Sequence, residues 1–227
     1  MDQIENWNQG AFLALNARPG TAHGLLPAAQ AIANDLIYLV PLILIALWVW
    51  GDRRQRSTAL EACLVAGLAL RAGQLIGLLW PHPRPFMIGV GHTWMAHAPD
   101  ACLPSDHMTV FSAVGLCLAF NGEMLLGLAL RVIGLVVAWA RIYLGVHFPI
   151  DMLAAAAVAA FMYALVTPVW QRLGAEQPRW LNRPMAGRWP GRSRAASRRA
   201  CTAASSRPDN GSVTEERRAR SRLRDLA

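Results

Sequence analysis

No lysine occurs anywhere in the 227 residues, and charge of either sign is scarce through the first three quarters of the chain. From Met1 to Gln171 eight arginines stand against nine aspartates and glutamates, too few to cover a soluble domain of that length. Cysteine is sparse as well. The four, Cys63, Cys102, Cys117 and Cys201, show neither a CxxC pair nor Cys/His metal spacing, so neither a disulfide framework nor a zinc module is expected. The start has no basic segment ahead of an apolar core: Met1 to Leu15 carries Asp2 and Glu5, and is not expected to be a secretory signal peptide. No internal repeat is found.

What fills the chain is sequence soluble in hydrocarbon. Apolar residues make up 54% and charged residues 16%, with nine Trp, the profile of a small polytopic membrane protein. The other 14 arginines and five acids lie from Arg172 onward and carry the net positive charge. An arginine-rich tail beside a membrane span reads as topology, so no nucleic-acid partner is expected. Without apolar repeats, 172–227 is expected to be a disordered cytoplasmic tail.

The apolar runs predict an all-α membrane helix bundle with about five spanning helices plus an N-terminal interfacial helix. In 1–24, Ile4, Trp7, Phe12 and Leu15 recur in a loosely helical manner before Arg18-Pro19-Gly20 breaks the pattern, as in a segment lying on the bilayer. A membrane domain over 25–171 follows, with spans at about 25–50, 59–80, 106–120, 123–141 and 149–170. Three arginines in the short loop around Asp52 mark its cytoplasmic side. The long loop 81–103 and the brief connection 143–148 then face outward, and Cys102, if the loop leaves it exposed, should meet a membrane-impermeant thiol reagent. Arg71 and Arg131 fall inside spans, where charge is costly. Snorkelling, or pairing with Glu61 or Glu123, is the simplest account.

Three polar islands meet on the outer face: His82-Pro83-Arg84-Pro85, Pro104-Ser105-Asp106-His107, and Arg141 with His147 and Asp151. Phosphoryl transfer needs donors for the equatorial oxygens, an in-line nucleophile and an acid for the leaving oxygen. Arg84 and Arg141 offer planar forks that match phosphate. Ser105 stands where the third span would be N-capped, so its hydroxyl and the free N–H groups of that helix start form an anion pocket. Asp151 follows His147 by four residues, with Pro149 suited to a first helical turn, so the carboxylate reaches back to orient the imidazole and stabilise its charge. His147 is therefore the expected nucleophile and His107 the expected acid. Taken singly, each residue has an ordinary structural explanation, and His82, His92 and His97 read as loop residues.

Together the islands resemble the signature of the type 2 phosphatidic acid phosphatase superfamily: Lys-x6-Arg-Pro, Pro-Ser-x-His and Ser-Arg-x5-His-x3-Asp. Arg84-Pro85, Pro104-Ser105-Asp106-His107 and Arg141-x5-His147-x3-Asp151 match, whereas Gly77 occupies the Lys position and Ala140 the Ser position. The run from Leu78 to Phe86, with Tyr143 to Asp151, is similar to the bacitracin-resistance branch, the undecaprenyl pyrophosphate phosphatases. The likeness spans about Asn16 to Trp170. It implies a phosphohistidine on His147, protonation by His107, and phosphate held by Arg84, Ser105 and Arg141. It also implies catalysis without a metal or other cofactor, and a prenyl pyrophosphate lipid as substrate, met at the outer face of the bacterial inner membrane. Phosphatidic acid, phosphatidylglycerol phosphate or a lipid A phosphate are the other substrates this chemistry would serve. A transporter or scaffold would leave the His147–Asp151 pairing idle.

Overall fold

The computed structural model describes residues 2–22 and 24–174, and the expectation for the tail beyond them lies outside the described residues. Among these residues all regular structure is helical: α1 (Asp2–Leu15), α2 (Leu25–Asp35), α3 (Leu39–Trp50), α4 (Arg53–Leu79), α5 (Asp106–Phe120), α6 (Met124–Tyr143) and α7 (Pro149–Gly174). Helices α2 and α3 are one apolar run broken by a 3-10 turn at Leu36–Tyr38. Pro41 accounts for the restart: lacking an N–H, it sits in the first turn of α3, where that group has no helical partner. Helix α4 begins at a capping box between Asp52 and Gln55. The same Gln55 donates from Nε2 to Glu123 Oε1 at 2.9 Å and ties α4 to the α5–α6 turn.

Leu25–Trp50, α4, α6 and Pro149–Leu173 are long and apolar enough to cross a membrane, with mean hydropathies of 1.8 to 2.1. Leu42, Ile45, Leu75, Leu128, Leu135, Leu153, Phe161 and Leu165 stand exposed around them, as lipid-facing residues do. The protein is an integral membrane protein. The remaining expected span is shorter. Helix α5 has 15 residues, about 22 Å of helix against a hydrocarbon core of about 30 Å. It runs through the middle of the bundle against α4, α6 and α7, burying Phe111, Val114 and Leu118. Gly127 lets α6 approach it: a Cβ there would lie 2.6 Å from Gly115 O.

The short central helix sets the depth of everything at its outer end. Its lower turn lies under α4, where Gly122 faces the Arg54 guanidinium. At its upper end Pro104 packs on Gly73, six residues and so about 9 Å below the top of α4. Loop 80–105 folds down into that recess. Helix α1 holds it from above. Phe12 is fully buried and meets Phe148 edge-on at 5.2 Å between ring centres, while Ile4 and Trp7 stay exposed. Asn16, just past α1, donates to His92 O (2.9 Å) and Tyr143 O (3.1 Å) and accepts from His92 N (2.7 Å), clamping the long loop to the α6–α7 turn.

Of the two accounts expected for the arginines within spans, pairing with Glu61 or Glu123 is not what forms. Arg71 donates to Gln74 Oε1 at 3.2 Å on its own helix, and the stem of Arg131 lies over Gly115. Glu61 is instead taken by Asn121 and Thr167, both at 2.7 Å, and Glu123 by Gln55.

Candidate active site

The recess encloses a cavity of about 450 Å³. Arg84, His107, Arg141 and His147 line it, joined by His97 and Asp100 from the long loop, with Gly73, Gln74 and Gly77 forming the α4 wall. All six expected site residues gather at this end of the bundle, but Ser105 and Asp151 do not line the cavity.

The turn between α6 and α7 presents His147. At Gly145 the backbone is left-handed, φ +82°, and a Cβ would run into His92 O, so the reversal and the close docking of the long loop both depend on glycine. A side chain there would meet the left-handed penalty of about 1–2 kcal/mol besides the clash. Pro149 then opens α7 and places Asp151 in its first turn. The Asp151 carboxylate is fully buried, and Oδ2 accepts from Phe148 N at 2.7 Å and lies 3.2 Å from His147 Nδ1. With Nδ1–H committed to the carboxylate, His147 Nε2 keeps its lone pair on the cavity side. Burial, which outweighs the opposing pull of Asp151, brings the His147 pKa down to about 4, so the ring is neutral and nucleophilic near pH 7.

Arg84 lies against that nitrogen. Its position before Pro85 holds its backbone extended, ψ 156°. Nη1 is 3.3 Å from His147 Nε2 and donates to Val146 O at 2.9 Å, Nη2 donates to Ala101 O at 3.4 Å, and Nε donates to Asp100 Oδ1 at 2.8 Å. The Asp100 carboxylate thus occupies the face of the fork that matches a phosphate. Arg141, at the end of α6, lies 3.4 Å from His107 Nε2 and 3.0 Å from His97 Nε2, and donates to Ala33 O at 3.4 Å. Burial first, then the Arg84 charge, lowers the His97 pKa, so that ring accepts from Arg141 as a neutral imidazole.

Three readings of the sequence change here. Ser105 is the N-cap residue of α5, yet its hydroxyl makes no cap bond and is buried without a partner behind the cavity wall. Cys102 is fully buried rather than open to a thiol reagent. His97 is a wall residue rather than a plain loop residue, and neither it nor Asp100 stands out in the sequence, because a loop without periodicity gives no sign of which side chain turns inward. The two departures from the signature also become intelligible. A Cβ at Gly77 would be 3.3 Å from Ala101 Cβ, so the long loop fills the space a lysine stem would take. Ala140 packs among Ala29, Ala33 and Leu144, turned away from the cavity.

A helical bundle with an arginine-lined, water-accessible recess backed by a His–Asp pair defines a membrane-embedded enzyme of phosphate chemistry. The chain belongs to the PAP2 superfamily, whose family model matches residues 58–175. It is 36% identical over 171 residues, 75% of this chain and 86% of the relative, to YbjG of Escherichia coli, a candidate undecaprenyl-diphosphatase. It is also 36% identical over 144 residues, 60% of this chain and 74% of the relative, to the undecaprenyl-diphosphatase BcrC of Bacillus subtilis. The fold is shared with a crystal structure of a PAP2-type phosphatidylglycerolphosphate phosphatase from Bacillus subtilis. That match has a TM-score of 0.57 and 17% identity, covering 76% of this chain and 89% of the other.

Proposed function

We propose that this protein hydrolyses undecaprenyl diphosphate to undecaprenyl phosphate and inorganic phosphate, returning the carrier lipid to cell-wall synthesis and so supporting bacitracin resistance. One observation carries the reading: His147 turns Nδ1 to a buried carboxylate and Nε2 to the cavity, beside the Arg84 guanidinium. His147 Nε2 attacks the terminal phosphorus and the P–O bond to the lipid monophosphate breaks. Arg84 and Arg141 bind the equatorial oxygens, and Asp151 stabilises the ring as it becomes positive. His107, beside Arg141, takes up a proton as the anionic substrate binds and gives it to the departing oxygen. Water then attacks the phosphohistidine, His107 takes up a proton from that water, and phosphate leaves. Ser105 supports the pocket from behind, through backbone at the α5 start.

Substrate assignment rests on the two relatives at 36% identity. The recess itself agrees with a lipid whose phosphates sit at the interface, since Leu78 lines it and the neighbouring Leu79 and Trp80 at the top of α4 stand exposed. Initial rates of phosphate release should be highest with undecaprenyl diphosphate in a panel containing phosphatidic acid, phosphatidylglycerol phosphate and a lipid A phosphate. A preference of more than about tenfold for one of the others, roughly 1.4 kcal/mol of barrier, would reassign the substrate.

The arginines at 53, 54 and 56 support a reading in which the protein sits in a bacterial inner membrane with the lower end of the bundle facing the cytoplasm and the recess facing outward. Because Cys102 is buried, the reporter belongs on the exposed Ala98. A membrane-impermeant maleimide on intact cells should label Ala98→Cys and spare Cys201. Labelling of Cys201 with Ala98→Cys protected would invert the topology.

A further inference from the structure

The carboxylate behind His147 has a second side that catalysis leaves unused. Asp151 Oδ1 is buried and accepts no hydrogen bond, and His82 Nδ1, 3.8 Å away, is buried without a partner too. Two buried polar atoms 3.8 Å apart that make no hydrogen bond are costly unless something sits between them. A third donor atom completes the cluster. Cys102 Sγ lies against Asp151 Oδ2 and 3.3 Å from His147 Nδ1, and the ligand atoms of His82, Cys102 and Asp151 all fall within 4.8 Å of one another. Tetrahedral zinc, with bonds of about 2.0–2.3 Å to nitrogen, oxygen and sulfur, holds its ligands roughly 3.3–3.8 Å apart, so small side-chain shifts bring the three into range. The far nitrogen of His82 strengthens the case: Nε2 is 3.6 Å from Glu5 Oε2, the carboxylate–imidazole arrangement that orients metal-binding histidines. His82, 18% exposed at its side chain, and Glu5, 38% exposed, give an ion a way in from the outer surface.

We propose that His82, Cys102 and Asp151 form an inhibitory binding site for a zinc-like divalent cation, placed directly behind the catalytic imidazole. Binding exchanges the Cys102 thiol proton for the metal, and the proton leaves to solvent. A cation held between sulfur and carboxylate favours the thiolate over the thiol. Once bound, the cation claims the Asp151 charge that the phosphorylated ring of His147 needs, so turnover slows while the arginine pocket still binds phosphate. The site serves regulation.

The inhibitory effect rests on the histidine mechanism above, whereas metal binding does not. The test therefore reads both, on the full chain purified in detergent. Titration with cobalt should produce one equivalent of a thiolate charge-transfer absorption that is absent in Cys102→Ala. Buffered free zinc should lower kcat by at least about tenfold with little change in KM, reversibly on chelation. The zinc concentration for half-inhibition should rise at least tenfold in both Cys102→Ala and His82→Ala, each scaled to its own metal-free rate. Absence of the cobalt band in wild-type protein overturns the site. A cobalt band without inhibition, or inhibition undiminished in both variants, overturns the regulatory role. A cobalt band on a protein that releases no phosphate from any lipid leaves the site standing and removes the proposed function instead.

Discussion

His147→Ala is expected to lower turnover of undecaprenyl diphosphate by about 10⁴-fold or more, since the variant loses the attacking atom rather than a supporting contact. Substrate binding should survive, because Arg84 and Arg141 supply the charge that holds phosphate and neither depends on the imidazole for its backbone anchors at Val146, Ala101 and Ala33. Asp151→Asn should be gentler. It keeps Nε2 in place but removes the negative charge that stabilises the positive ring, and its amide competes for the Nδ1 tautomer. Rapid quenching with substrate labelled at the terminal phosphate provides the direct reading. Acid-labile, base-stable label should appear on wild-type protein within one turnover and never on His147→Ala. If wild-type protein carries no label and His147→Ala turns over at a comparable rate, the phosphohistidine mechanism is wrong and direct attack by water takes its place.

Arg84→Lys is expected to reduce kcat/KM by about 10²–10³-fold, the usual loss when one preorganised donor to a developing charge is removed. The charge is retained, so the size of the loss measures geometry. The guanidinium spans Val146 O, Ala101 O, Asp100 and His147 Nε2 at once, and a single ammonium cannot meet these positions together. Little nearby compensates. The α4 wall carries Gly77 where a lysine is common to the signature, and Arg141 is committed to His97 and His107 on the opposite side. A loss below about tenfold in Arg84→Lys would mean that Arg84 serves mainly to hold the long loop through Asp100.

The identity of the helices and the chemistry at their outer ends were legible from residue order. Helix α5 begins at Asp106 and ends at Phe120 as the apolar run predicts, and Pro149 and Asp151 take their places in the first turn of α7. These are short-range matters: helical periodicity, a proline's fixed φ, and a four-residue spacing that carries Asp151 back to His147. Short range also explains the partial failures. The N-cap position of Ser105 was correct, yet whether its hydroxyl bonds to its own helix depends on what packs behind it, and there Ser105 N is engaged with Asp151 O at 3.3 Å.

Only the tertiary structure decided how deep the recess lies and which loop residues enter it. The depth follows from placing a 15-residue helix beside one of 27 residues, a consequence of packing that neither helix's composition reveals. Loop 80–105 has no repeating pattern, so nothing local distinguishes His97, which turns inward to Arg141, from His92, whose side is open to solvent. The contacts that settle the matter join residues 44 to 76 positions apart: His97 with Arg141, Cys102 with Asp151, and Asn16 with His92. Such contacts form because the helices bury their apolar faces first and the loop must then satisfy its polar groups against whatever surface that burial has created.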